Sequence, residues 1–132
     1  MQRKGFTLIE LMLVVIIIGI LSAMVVPRLA SRSEQARKAT ATADVSSAIP
    51  LALDLFEVDN GRYPTTEEGL AALRQKPGGL EHWKGPYLKK SAKDPWGSEY
   101  IYAFPGSHNN DYDLFSKGAD GTESTEDDIT NW

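Results

Sequence analysis

The sequence predicts an α+β protein in which one long N-terminal helix packs on a small antiparallel sheet, followed by an acidic C-terminal loop. Three observations predict it. Residues 6–26 form an apolar run whose one charge is Glu10. The residues after it keep apolar side chains at three- and four-residue spacing, the period of a helix with one buried face. The last third of the chain changes to short runs rich in Tyr, Ile and Phe, separated by turn residues, which read as strands.

The apolar run of 21 residues would make a helix about 31 Å long at about 1.5 Å per residue, matching a hydrocarbon core of about 30 Å. One membrane span is expected. A secretory signal has a shorter apolar region and a small-residue cleavage site after it, whereas here the small residue, Gly5, stands before the run. Arg3 and Lys4 on one flank face Arg28 and Arg32 on the other, so charge alone does not orient the span. Beyond it, Val45, Ala48, Ile49, Ala52, Leu55 and Phe56 share one helical face, with Asp44, Ser47, Asp54 and Glu57 on others. This predicts a single helix to about Val58, stopped by Asn60-Gly61. Pro27 and Pro50 each remove a backbone donor, and a kink is expected at each.

"TTEE" at 65–68 reads as a capping box opening a short helix through "GLAAL" that ends by "KPGG" at 76–79. "DPWG" at 94–97 has the residues of a type I turn. "SEYIYAF" (98–104) and "YDLF" (112–115) are expected to pair as antiparallel strands. Without its first 27 residues the chain retains 105, enough for one small domain. The formal net charge is -4 and no basic patch of the kind that binds nucleic acid is present. Acidity concentrates at the end: residues 107–132 hold seven Asp and Glu against Lys117 alone. There is no cysteine, so no disulfide can staple the domain. Enzyme chemistry finds no support: His82 and His108 stand isolated in polar sequence, and neither a nucleophile elbow nor a phosphate loop occurs. Trp83, Tyr87, Trp96, Tyr100 and Tyr102 are expected to serve core and strand packing rather than a carbohydrate surface.

Glu10 raises a question, because a carboxylate costs at least about 2.5 kcal/mol near the centre of a spanning helix and less toward its end. It is either an interfacial residue of an ordinary anchor or a group neutralised by a partner. A cut after Gly5 would create an amino terminus at Phe6, and a neighbouring copy could offer that ammonium to Glu10. "KGFTLIEL" before an apolar run resembles the N-terminus of type IV pilins and the pseudopilins of type II secretion. "LDLFEVDNGRYPTTEEGLAAL" (53–73), "GPYLKKSAKDPWGSEYIY" (85–102) and the segment 112–132 resemble the major pseudopilins of type II secretion, so that the resemblance covers nearly the whole chain.

The resemblance implies a type IV pilin-like fold and a division into a leader (1–5), a transmembrane and assembly helix (6–27) and a periplasmic head (28–132). It also implies cleavage between Gly5 and Phe6 by a prepilin peptidase that N-methylates Phe6, and a role for Glu10 in aligning subunits of a helical homopolymer. Pro27 falls where that family has a proline, and Pro50 departs from its pattern. The expected place is the bacterial inner membrane, single pass, head in the periplasm. Minor pseudopilins and the inner-membrane assembly platform are the expected partners, and the expected function is a filament that drives folded exoproteins across the outer membrane.

Asp120, Asp127 and Asp128 lie on a glycine-containing loop, and hard oxygen donors suit Ca²⁺. The spacing is not that of an EF-hand, and composition alone favours a solvated acidic tail. The resemblance implies a Ca²⁺ site: an Asp followed seven and eight residues later by an Asp pair matches Asp120, Asp127 and Asp128. Main-chain carbonyls at Lys117 and Thr125 would join them, with Thr122 as a further contributor. Ile129 and Trp132 would pin the loop to the head, the alternative being an exposed Trp132. Two other functions stay open at this point: a type IV pilus subunit or minor pseudopilin, and a monomeric, membrane-anchored calcium-binding module.

Overall fold

The computed structural model describes residues 5–132; residues 1–4 of the expected leader lie outside the described residues. The chain divides into two compact units, one ending at Ala36 and the other Arg37–Trp132.

Helix α1, Leu8–Ala43, begins two residues later than the apolar run. The delay has a local cause. Thr7 caps the helix: its hydroxyl accepts the Glu10 N–H at 3.3 Å, while its own N–H and hydroxyl donate to Glu10 Oε2 at 2.8 and 3.0 Å. "TLIE" is thus a capping box that satisfies otherwise unpaired N-terminal donors. The helix passes through Pro27. A π-helical turn, Asp44–Ala48, then leads into α2, Ile49–Asn60. Here the Ile49 N–H bonds the Asp44 carbonyl, five residues back, and Pro50 occupies the first turn of α2. A proline lacks the N–H that an α-turn needs and its ring crowds the carbonyl four residues back, and the wider turn avoids both. Gly61 ends α2 at φ 75°, with its N–H on the Glu57 carbonyl at 2.7 Å.

The buried face differs from the expected one. Ala48 and Leu55, expected on the core face, are exposed; Leu53, absent from the expected set, is fully buried beside Ile49, Ala52 and Phe56. Leu53 lies four residues after Ile49 and three before Phe56, so it shares their face of α2, which is the face packed on the core.

The capping box at 65–68 forms in both directions, with Glu68 N–H to Thr65 Oγ1 at 3.2 Å and Thr65 N–H to Glu68 Oε2 at 2.9 Å. The expected helix does not follow. Gly69 takes φ 58°, ψ -164°, and only a 3-10 turn, Leu70–Leu73, comes after it. That backbone conformation is open to glycine and breaks the helical bond pattern as it starts.

The sheet has the order β1-β2-β3, all antiparallel, with β1 Ile101–Ala103, β2 Asp113–Ser116 and β3 Ile129–Thr130. Tyr102 faces Leu114 across the first pair and Ser116 faces Ile129 across the second. The predicted turn at 94–97 closes with Gly97 N–H on the Asp94 carbonyl at 3.0 Å. Val45, Ile49, Leu53 and Phe56 meet Leu73, Tyr100, Tyr102, Tyr112 and Leu114 in one core. Each large apolar side chain so buried contributes about 1.5–3 kcal/mol. The buried tyrosine and tryptophan polar atoms are satisfied: Tyr100 Oη donates to Asp44 at 2.8 Å, Tyr102 Oη to the Pro64 carbonyl at 2.8 Å, and Trp83 Nε1 to the Ala72 carbonyl at 2.9 Å.

Candidate functional site

Two regions hold the candidate residues. In the first, Gly5 and Phe6 are exposed, and a Cβ built on Gly5 would meet nothing within 4 Å. The chain's own packing therefore does not demand a glycine there. Every residue of α1 from Leu8 to Leu29 is exposed, and the helical run Leu8–Asn60 contains a window long and apolar enough to cross a membrane. Glu10 stands in the first turn, with both bonds from Thr7 directed to one carboxylate oxygen, Oε2.

The second region is the loop 117–128. It starts from a buried anchor: Asp94 Oδ2 accepts the Ser116 hydroxyl at 2.6 Å, and Ser116 Oγ accepts the Gly118 N–H at 3.1 Å. Gly118 has φ 68°, and a Cβ on it would come within 2.3 Å of the Asp127 carbonyl, so the two ends of the loop touch at this glycine. Asp120, Asp127 and Asp128 are drawn together around Thr125, whose Oγ1 lies 3.5, 2.7 and 3.4 Å from an oxygen of each. A hydroxyl has one proton to donate, so three carboxylates share one donor. Backbone N–H groups add to it: Asp120 to Asp127 Oδ2 at 3.0 Å, Thr122 to Asp120 Oδ1 at 2.8 Å and Ser124 to Asp128 Oδ2 at 2.7 Å. The Thr125 hydroxyl, then the Asp120 N–H, hold the Asp127 carboxyl below its ordinary range. The Lys117 ammonium pairs with Glu123 at 2.9 Å. Among the described residues no three His, Cys, Asp or Glu side chains are disposed to hold a metal ion; Asp120, Asp127 and Asp128 each place an oxygen within 3.5 Å of Thr125 Oγ1. The donor set, all oxygen and mostly carboxylate, fits the chemistry of Ca²⁺.

Sequence reasoning missed what ties the chain end down. Asn131 extends the β2–β3 ladder: its N–H donates to the Leu114 carbonyl at 3.0 Å, its Oδ1 accepts the Leu114 N–H at 2.9 Å, and its Nδ2 donates to the Tyr112 carbonyl at 3.2 Å. Trp132 is 47% exposed yet stacked on His108, ring centroids 4.1 Å apart and planes 3° from parallel, with Phe115 edge-on at 5.7 Å. Both readings of Trp132 thus hold in part. Ile129 packs on the core. His108, expected to be an isolated surface residue, places Nδ1 2.9 Å from Oδ2 of the buried Asp113. No local signal marks that pair; it exists because the turn after Gly106 folds back onto β2.

Against known proteins, residues 28–132 match the family model described as type II secretion system (T2SS), protein G, and residues 1–26 match the prokaryotic N-terminal methylation motif. The chain is 49% identical to a type II secretion system core protein G of Pseudomonas aeruginosa, covering 99% of this chain and 96% of that protein. Identity is 44% to the core protein G of Escherichia coli K12, over 99% of this chain and 92% of that one. The crystal structure of the major pseudopilin from the type 2 secretion system of enterohaemorrhagic Escherichia coli superposes with a TM-score of 0.68 at 38% identity, covering 77% of this chain and 87% of that one. With one end of the chain matching the methylation motif and the rest matching protein G, the chain belongs to the type II secretion system protein G family, the major pseudopilins.

Proposed function

We propose that this chain is the structural subunit of a periplasmic pseudopilus, and not an enzyme: it is inserted in the inner membrane by α1, cut between Gly5 and Phe6, N-methylated on Phe6, and polymerised to help drive folded exoproteins across the outer membrane. The observation that carries the reading is the conjunction, in one chain, of the N-terminal methylation motif over residues 1–26 with the protein G match over 28–132. Geometry supports it at the cleavage site. A glycine that no neighbour requires, next to an exposed Phe6, is what an external protease would select for. Glu10 spends one oxygen on the Thr7 cap, and its other oxygen has the capacity to accept the Phe6 ammonium of an adjacent copy. A prepilin peptidase, minor pseudopilins and the inner-membrane assembly platform are the partners this role requires.

The loop 117–128 is the proposed Ca²⁺ site, held by Asp120, Asp127 and Asp128, with the carbonyls of Lys117 and Thr125 and with Thr122 contributing. Bound there, the cation would neutralise the carboxylates that now share the Thr125 hydroxyl. The chain supplies the rest: Gly118 and the Asp94–Ser116 bond fix where the loop begins, and β3 with Asn131 fixes where it ends.

Processing and assembly test the reading together. Mass spectrometry of protein from cells carrying the secretion genes should give a mature chain beginning at a methylated Phe6, and Gly5→Leu should leave the leader attached. Glu10→Ala should be inserted and cleaved but should give few filaments by electron microscopy. Filaments at wild-type yield from Glu10→Ala would return Glu10 to an interfacial role, and a wild-type subunit that never polymerises beside its assembly machinery would favour the monomeric module.

A further inference from the structure

We propose that Arg28 and Arg32 form a binding site for the phosphate groups of anionic membrane lipids, an inference that rests on the reading of α1 as a membrane span. Helix α1 continues through Pro27 to Ala43, so the two arginines, four residues apart, project from one face. Counted from Val26, the last residue of the apolar run, their Cα atoms lie about 3 and 9 Å further along the axis. The headgroup layer adds roughly 5–7 Å beyond the hydrocarbon on each side. Helical side chains lean toward the helix N-terminus, which brings the Arg32 guanidinium back into that layer. Leu29, 61% exposed between them, extends the apolar surface past Arg28.

Both arginines are exposed, and neither takes part in the ion pairs Arg62–Glu68, Lys84–Asp59 or Lys117–Glu123. A guanidinium presents a planar fork of donors that matches phosphate oxygens two at a time and is weakly hydrated, so it suits a phosphodiester at a low-dielectric boundary. The pair would hold the subunit in the bilayer until assembly removes it, with a strength set by the anionic lipid content.

Lipid selectivity around the full-length chain tests this. In phosphatidylcholine vesicles containing the protein and spin-labelled lipid, phosphatidylglycerol should be motionally restricted about fivefold more strongly than phosphatidylcholine for each arginine engaged. The double variant Arg28→Gln, Arg32→Gln should keep only the part of that preference that Arg3 and Lys4 on the other flank supply, and Arg28→Lys, Arg32→Lys should fall between it and the wild type. High salt should erase the preference of the wild type. Equal restriction of the two lipids by the wild type, or an undiminished preference in the Gln variant, overturns the proposal. Inorganic phosphate that abolishes the preference at an ionic strength where chloride does not would assign the arginines to a free anion and overturn it too. Alkaline extraction separates the two readings: a wild-type chain that leaves the membrane fraction refutes the span itself, whereas one that stays and shows no lipid preference refutes only the lipid site.

Discussion

Asp113 shows how a single buried carboxylate can be kept ionised. Burial alone would raise its pKa, but the Asn109 N–H at 2.9 Å, His108 Nδ1 at 2.9 Å, and the Ser107 and His108 N–H groups at 2.8 and 3.1 Å outweigh that and bring it down to about 2. Its folded pKa is depressed below the ordinary aspartate value of about 3.9. The stability it contributes is therefore complete above about pH 4 and lost as pH falls through about 2. Glu68 behaves alike, held at about 2 first by the Arg62 guanidinium, at 2.7 and 2.8 Å, and by the Thr65 N–H, so its contribution leaves in a similar acid window. Acid unfolding followed by tryptophan fluorescence should thus steepen below pH 4. Asp113→Asn should flatten that limb, as should Glu68→Gln independently, because the two groups share no partner. An acid limb unchanged in both variants would show that other carboxylates control it.

Among the elements, the face that α2 turns to the core makes a prediction. Leu53→Ala removes a side chain with no exposed surface and should destabilise the full-length chain in detergent by about 2–5 kcal/mol. Leu55→Ala, two residues on and half exposed, should stay within about 0.5 kcal/mol of wild type. Thermal unfolding distinguishes them, and equal losses would mean that α2 is rotated from the position described. A second comparison lies in the acidic loop. Gly118 and Gly121 share φ 68°, but a Cβ on Gly118 would strike the Asp127 carbonyl, whereas one on Gly121 meets nothing within 4 Å. Gly121→Ala should cost only the left-handed backbone penalty of about 1 kcal/mol. Gly118→Ala should cost clearly more and open the loop, read as faster amide exchange at residues 118–128.

For the molecule as a whole, the absence of cysteine leaves a small domain dependent on its core and on whatever closes its C-terminal loop. If Ca²⁺ supplies that closure, binding only the folded arrangement, it should stabilise the chain by about 2.7 kcal/mol at a hundredfold excess over Kd. Chelation should then lower the melting temperature, with the C-terminal loop opening first. Asp127→Asn should abolish most of the calcium response, and Asp111→Asn, outside the loop, should preserve it. Calorimetry that detects no calcium uptake at millimolar concentration would return the segment to a solvated acidic loop held by Thr125 and backbone donors, and would leave the family assignment untouched.

What the sequence by itself determined is whatever short-range chemistry specifies. The apolar run dictated a helix of spanning length, Thr65 and Glu68 a capping box, Asp94 to Gly97 a turn, and the segments around Tyr102 and Leu114 two extended stretches, since each depends on residues within a few positions of one another. The tertiary structure decided the rest. Leu53 rather than Leu55 faces the core because packing chose the face of α2 that also carries Ile49, Ala52 and Phe56. The two residues of β3 become a strand only because Ser116 and Phe115 offer an edge to pair with, and two residues carry no period to read. The His108–Trp132 stack and the His108–Asp113 contact likewise have no sequence signature. The gathering of Asp120, Asp127 and Asp128 on Thr125 was legible as composition and spacing, but its geometry was not. That geometry is set by where Gly118 meets Asp127, a contact between residues nine apart whose closeness depends on the fold that brings the loop ends together.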